Sequence, residues 1–136
     1  MQATTRSLFT YGSLMYEAVC FRVVGRGLPH ERAQLHGWRR HALKGRTYPG
    51  AVPQTDCVID GVLWHGLTEA DLVSLDAFES TEHERVTATV LPASGQTQPA
   101  QLYAWQDLTL LEPDDWSVTR FEQEHVHSFY ATHRPR

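Results

Sequence analysis

Apolar and polar positions along the 136-residue chain change their period several times, and each change marks an element. Leu8, Phe9, Thr10 and Tyr11 form a short β-branched and aromatic run, the pattern of a buried strand, which Gly12 and Ser13 break. A second apolar run starts at Leu14, and its part from Tyr16 to Val24 predicts a short helix or packed loop, closed by Gly25, Gly27 and Pro29. From Arg32 to Leu43 small or apolar residues alternate with polar ones, which predicts a strand bent at Gly37. The stretch from Gly45 to Pro53 carries two glycines and two prolines and is expected to be irregular. Val58 to Leu67 returns to strand, with Gly61 and Gly66 permitting a bulge or a close approach. Thr68-Glu69-Ala70-Asp71 reads as a capping box that opens a helix. Leu72 and Leu75 form its apolar stripe, and Glu79 follows Leu72 by seven residues on the same face. Val86 to Leu91 and Gln101 to Trp105 predict an antiparallel hairpin across the turn-rich segment from Pro92 to Pro99. Glu112-Pro113-Asp114-Asp115 has the acids and proline of a helix start. Val118, Phe121, His125 and Phe129 would fall on one face of that helix before Arg134-Pro135 stops it.

These elements add up to an α+β fold, a small mixed and strongly bent or barrel-like sheet flanked by two or three helices. Residues 1–136 are expected to form one domain, long enough for a single core and without linker, repeat or low-complexity tail. No window approaches the roughly 20 apolar residues that span a membrane. The polar start, Met1 to Ser7, lacks an apolar signal core, so a cytoplasmic protein is expected. Cys20 and Cys57, only two and far apart, are then expected as buried free thiols. The formal net charge of −4 argues against a nucleic-acid binder. Arg39, Arg40, His41, Lys44 and Arg46 form a local basic run, read as the solvated face of a strand or as groups that draw in an anionic small molecule.

Chemistry narrows to few residues. Eight histidines invite a metal, but His125 and His127 stand about 200° apart around a helix and cannot share one ion. His36 and His41 lack acidic or cysteine partners at ligand spacing, so neither a metal nor a cofactor is expected. No phosphate-loop or dinucleotide pattern occurs. Ser13 lacks the flanking glycine of a nucleophile elbow, and no Asp-His pair follows it in a recognisable context, which leaves its backbone N–H as its more useful group. A sharp turn after a buried strand, as at Gly12-Ser13-Leu14, presents N–H groups able to hold an anion or a polarised carbonyl oxygen. Arg46 and Tyr48 sit on the irregular segment, a natural place for pocket-lining groups. Glu79 is the acid of interest. At the inward end of an apolar stripe it is expected to be desolvated, with its pKa raised, and it stands at the negative end of the helix dipole. The bland reading of Glu79 is a solvated helix-end acid paired with Arg85.

The run Tyr11-Gly12-Ser13-Leu14 resembles the signature loop of the gamma-glutamylcyclotransferase superfamily. The match is nearest to its plant avirulence-induced-protein-like branch and the related gamma-glutamylamine cyclotransferases. Further pieces follow in the family's order. They are Leu35-His36-Gly37-Trp38-Arg39-Arg40, Leu43-Lys44-Gly45-Arg46-Thr47-Tyr48-Pro49, Val62-Leu63-Trp64, Leu75-Asp76-Ala77-Phe78-Glu79 with Arg85-Val86, and Tyr103-Ala104-Trp105. The similarity runs from about Ser7 to Tyr130.

The resemblance implies a compact barrel with its pocket beside the signature loop. It implies that Glu79 stands where the family places its catalytic acid, and that Tyr11 and Tyr103 match pocket positions. It also implies a metal-free reaction on a small γ-glutamyl amine or γ-glutamyl amino acid, giving 5-oxoproline and a free amine. The substrate's own α-amine would close the ring. Glu79 would act as general base and acid, and N–H groups around Gly12, Ser13 and Leu14 would bind the carbonyl oxygen. Ser80 stands where the family often has glycine and His83 where tyrosine often follows, departures that bear on the leaving group. The alternative is a small-metabolite binding module on the same fold with little or no turnover. Neither the leaving group nor the oligomeric state follows from sequence.

Overall fold

The computed structural model describes residues 6–79 and 82–122. Five strands close into a barrel in the order β1-β3-β2-β4-β5, where β1 is Arg6–Thr10, β2 His30–His41, β3 Gly50–Leu67, β4 His83–Pro92 and β5 Gln98–Trp105. The pairings are antiparallel except β1 with β5, which run parallel and meet at Leu8 and Gln101. The expected mixed, barrel-like sheet is therefore present. Helices α1 (Glu17–Val24) and α2 (Glu69–Glu79) and a single turn, α3 (Val118–Arg120), accompany it. No helix among the described residues is long and apolar enough to cross a membrane.

Strand alternation divides the apolar residues between two cores. Phe9, Leu35, Ile59, Leu63, Val90 and Leu102, one or more from every strand, fill the barrel interior. Ala33, Ala51 and Ala100 keep that interior narrow enough for side chains alone to fill it. The opposite faces of β1 and β3, through Leu8, Trp64 and Leu67, pack on Val19 and Cys20 of α1 and on Leu72 and Leu75 of α2. The capping box forms as expected. The Thr68 N–H donates to Asp71 Oδ2 at 2.8 Å, and the Asp71 N–H donates to Thr68 Oγ1 at 3.2 Å.

Four expectations change. The irregular segment ends at Pro49, not Pro53, because β3 already starts at Gly50 and pairs with His41. Pro53 is tolerated within β3 because it lies at a register shift: Trp38 pairs with Pro53 but His36 with Val58, so four residues of β3 bulge out opposite Gly37. The bend expected at Gly37 falls on this shift, with φ at +82°. β2 begins and ends two residues earlier than expected, at His30 and His41.

The segment Glu112 to Asp115 does not start a helix. Ala42 holds it extended, donating its N–H to Asp114 O and accepting from the Glu112 N–H, both at 2.9 Å. The helical turn waits for Ser117, whose hydroxyl caps Arg120 N–H. Phe121 packs in the core, whereas His125 and Phe129 lie outside the described residues. The basic run is not simply a solvated face. Arg40, with a side chain only 14% exposed, pairs with Asp115, Arg39 donates to Pro113 O, and Arg46 pairs with Glu82.

Candidate active site

β1 delivers the chain into the site. After Tyr11 and Gly12 the chain makes a 3-10 turn over Ser13–Met15, closed by Met15 N–H to Gly12 O at 3.0 Å and Tyr16 N–H to Ser13 O at 3.2 Å. Neither bond uses the N–H groups of Gly12, Ser13 or Leu14, the donors that the start of a helical turn leaves over. Gly12 has φ −130°, so the left-handed region is not what demands glycine. Close approach demands it: a Cβ there would lie 2.8 Å from Pro49 Cδ and 3.0 Å from Cγ. Arg40 braces the same bend by donating from Nη1 to Tyr11 O at 2.9 Å while its guanidinium lies 5.4 Å over the Trp116 ring.

Opposite the turn stand Tyr48 and Pro49 from the β2–β3 connection, Glu79 at the end of α2, His83 at the start of β4 and Tyr103 on β5. Together they enclose a pocket with about 350 Å³ of empty space, its open mouth included. Seven of the eight residues singled out from the sequence line it: Tyr11, Gly12, Ser13, Leu14, Tyr48, Glu79 and Tyr103. Arg46 does not. It pairs with Glu82, which also accepts from Tyr48 Oη at 2.6 Å, so Arg46 reaches the pocket only through the placement of Tyr48.

Glu79 is the only carboxyl among the described residues that line the pocket. Its side chain is 18% exposed, and burial pushes its pKa up to about 8. Arg85 does not pair with it. Asp76, one helical turn earlier, takes the Arg85 guanidinium at 2.9 Å and accepts from Tyr103 Oη at 2.6 Å. Burial, aided by Asp76, raises the Tyr103 pKa. Burial, and then the Glu79 charge, raises that of Tyr11, whose hydroxyl donates to Tyr103 O. Burial carries Tyr48 up to about 12, with Glu82 adding to it. The Arg46 hydrogen bond holds Glu82 down at about 2. All three phenols are therefore neutral near pH 7.

His83 and Asp76 are members of this site that sequence reasoning did not select. His83 Nδ1 lies 3.3 Å from Glu79 O and 3.5 Å from Glu79 Oε2, and the ring stands edge-on to Trp105 at 5.0 Å. Burial lowers its pKa, which keeps the imidazole neutral beside Glu79. The available signal was position: His83 is one of the two departures from the resemblance noted above, and Asp76 lies three residues before Glu79 in the quoted motif. Ser80, the other departure, lies outside the described residues, as do His125 and His127. Among the described residues no three His, Cys, Asp or Glu side chains converge as metal ligands would. Cys20 and Cys57 are both free, but only Cys20 is buried as expected; Cys57, in the stretch of β3 that bulges out opposite Gly37, is half-exposed.

A family model described as "Gamma-glutamyl cyclotransferase, AIG2-like" matches residues 8–118. The chain is 33% identical over 121 residues to AIG2-like protein C of Arabidopsis thaliana, covering 88% of this chain and 69% of that one. Among solved structures, a solution structure of an Arabidopsis thaliana protein superposes with a TM-score of 0.76 at 27% identity, covering 96% of this chain and 81% of the other. A structure titled gamma-glutamyl cyclotransferase superposes with a TM-score of 0.66 over 76% of this chain and 68% of its own. At 16% identity, that likeness is one of fold.

Proposed function

Because the chain belongs to the gamma-glutamyl cyclotransferase, AIG2-like family, we propose that it is an enzyme that releases 5-oxoproline from a γ-glutamyl amine or γ-glutamyl amino acid. The observation that carries this reading is Glu79, a desolvated carboxyl with a pKa of about 8 in the pocket beside the signature turn. A base poised near the working pH is what proton transfer from an amine needs.

The substrate brings its own nucleophile. Its α-amine attacks its γ-carbonyl carbon, a five-membered ring closes, and the γ-amide C–N bond breaks. Nucleophile and electrophile share one molecule, so the pocket has mainly to hold the folded conformer. Glu79 takes the proton released by the attacking amine and returns it to the leaving amine. Backbone N–H groups of Gly12, Ser13 and Leu14 stabilise the charge that builds on the carbonyl oxygen. Tyr11, Tyr48 and Tyr103, held neutral, shape the walls without competing for the proton. Asp76 fixes Tyr103, and Glu82 with Arg46 fixes Tyr48. No step requires a cofactor.

The test is 5-oxoproline release from a panel of γ-glutamyl amines and γ-glutamyl dipeptides, with wild type and Glu79→Gln side by side. Gln keeps the shape but accepts no proton, so turnover should fall by about 10²–10⁴-fold with substrate affinity largely kept. Unchanged turnover removes Glu79 from the mechanism. A wild type that binds panel members yet releases no 5-oxoproline makes the protein a small-metabolite binding module.

A further inference from the structure

Outside the pocket, a second set of polar side chains meets where β1 lies between β3 and β5. Ser7 Oγ lies 3.1 Å from His65 Nδ1, and His65 Nε2 lies 2.7 Å from Glu31 Oε2. As a carboxylate, Glu31 only accepts, which places the proton of the neutral ring on Nε2. Nδ1 is then the acceptor for the Ser7 hydroxyl. The chain of bonds is anchored at both ends. Glu31 Oε1 accepts from Ser94 N–H at 3.0 Å, and the Gln98 amide donates to Ser7 Oγ at 3.1 Å. The bond to His65 and those to Ser94 hold the Glu31 carboxyl below its usual range, so it is ionised.

Register makes the meeting possible. Thr10 pairs with Val62, Phe9 with Leu63 and Leu8 with Trp64, a ladder whose next step sets Ser7 opposite His65, 58 residues away in sequence. Only beyond that step does the register shift: Arg6 pairs with Leu67, so β3 spends one residue more than β1 there, and Gly66 takes φ +79°. The register of β1 with β5 is a single pair, Leu8 with Gln101, and the gap beside it is a cleft lined by Ser7, His65, Gln98, Gln101 and Arg6. Ser7 is half-buried, and the His65 and Glu31 side chains are 30% and 25% exposed. The hydroxyl thus has both a base and an opening to solvent.

We propose that Ser7, His65 and Glu31 form a second, nucleophilic site that acylates on Ser7 and hydrolyses small carboxylic esters, independently of the Glu79 pocket. Nucleophile, base and orienting acid stand in the order such chemistry requires, although the ring is used through Nδ1 towards the serine. In the first step Ser7 Oγ bonds to the ester carbonyl carbon and its proton passes to His65 Nδ1. Glu31 stabilises the imidazolium, and His65 returns the proton to the departing alkoxide as the C–O bond breaks. Water, deprotonated by His65, then cleaves the acyl-serine, giving the carboxylic acid and restoring the Ser7 hydroxyl. The Gln98 amide, which donates to Ser7 Oγ in the resting site, would have to release it as Oγ attacks.

The experiment uses the full chain with an alkyl fluorophosphonate, from which serine Oγ displaces fluoride, and with p-nitrophenyl acetate. Expected is one adduct per chain, mapped by mass spectrometry to Ser7, together with ester hydrolysis above buffer. Ser7→Ala should abolish both, and His65→Gln should slow labelling at least about 10²-fold, a general base's usual share. Glu31→Gln should slow it less, whereas Glu79→Gln should label like wild type. Circular dichroism and thermal midpoints of each variant separate loss of chemistry from loss of fold. Absence of an adduct on folded wild type overturns the proposal, as does an adduct on another residue or labelling unchanged in folded His65→Gln.

Discussion

At the scale of single residues, the site rests on how far each side chain is removed from water. Glu79 ionises with difficulty because the pocket desolvates it, and this links activity to stability. Its folded pKa of about 8 lies above the ordinary glutamate value of about 4.3. Glu79 therefore costs nothing below the unfolded value, and stability falls as pH rises from there towards the folded one. Urea midpoints measured from pH 4 to 9 should show this decline in wild type and a flatter profile in Glu79→Gln. Wild-type kcat/KM should rise over the same interval, as the base form accumulates. Gly12 presents the opposite case, a residue defined by absent volume. Gly12→Ala drives a methyl into the Pro49 ring, and such overpacking costs about 1–3 kcal/mol. It should lower both the thermal midpoint and 5-oxoproline release, while Ser13→Ala, which keeps the backbone N–H, should be milder. A dead Ser13→Ala beside an active Gly12→Ala would assign the chemistry to the hydroxyl.

At the scale of elements, α2 positions the acid, and its start is as specified as its end. The box between Thr68 and Asp71 fixes the first turn, and Arg26 grips the Asp71 carboxylate with two bonds of 2.6 Å. Thr68→Ala should lose about 0.5–2 kcal/mol, the usual value of an N-cap, read as a shift in urea midpoint. Arg26 is also the main reason the Asp71 pKa is lowered. Its folded pKa lies below the unfolded one, so its contribution is present above the ordinary aspartate range and is lost as pH falls. Asp71→Asn should remove that acid-side loss and leave the Glu79-linked decline at higher pH intact. A helix whose two ends respond to opposite pH windows is a sharp check on both assignments.

At the scale of the whole molecule, the barrel brings the signature turn, the α2 acid and the β2–β3 connection to one place. Arg40 locks part of that arrangement, joining β2 to Tyr11 O and to Asp115 of the extended segment after β5. Lysine has one ammonium where arginine has a planar fork, and cannot keep all of these bonds. Arg40→Lys should destabilise by about 1.5–3 kcal/mol, the range for a lost hydrogen bond to a charged group. It should also lower substrate affinity, because the end of β1 loses its brace. Thermal unfolding and binding of a γ-glutamyl amine, measured together, check both; unchanged values would make Arg40 a surface residue in effect.

What the sequence determined by itself was local. The period-2 runs, the capping box and the turn residues are short-range preferences, and they gave the strands, α2 and the glycine break after β1. The ordered motifs supplied the family, and with it the choice of Glu79, Tyr11 and Tyr103 as pocket residues. What only the tertiary structure decided depends on pairing between distant segments. Gly45 to Pro53 looked irregular because local propensity cannot see His41 arriving opposite Gly50 to extend a ladder. Glu112 to Asp115 has the composition of a helix start, but Ala42 takes its backbone hydrogen bonds first. Arg85 is near enough in sequence to pair with Glu79, yet it goes to Asp76 and leaves Glu79 without that cation. The same logic joins His65 to Ser7 and Glu31, residues far apart in sequence that the pairing of β3 with β1 and with β2 turns into neighbours. Periodicity reports which face a residue is on, but which distant group meets it there is set by register and barrel closure.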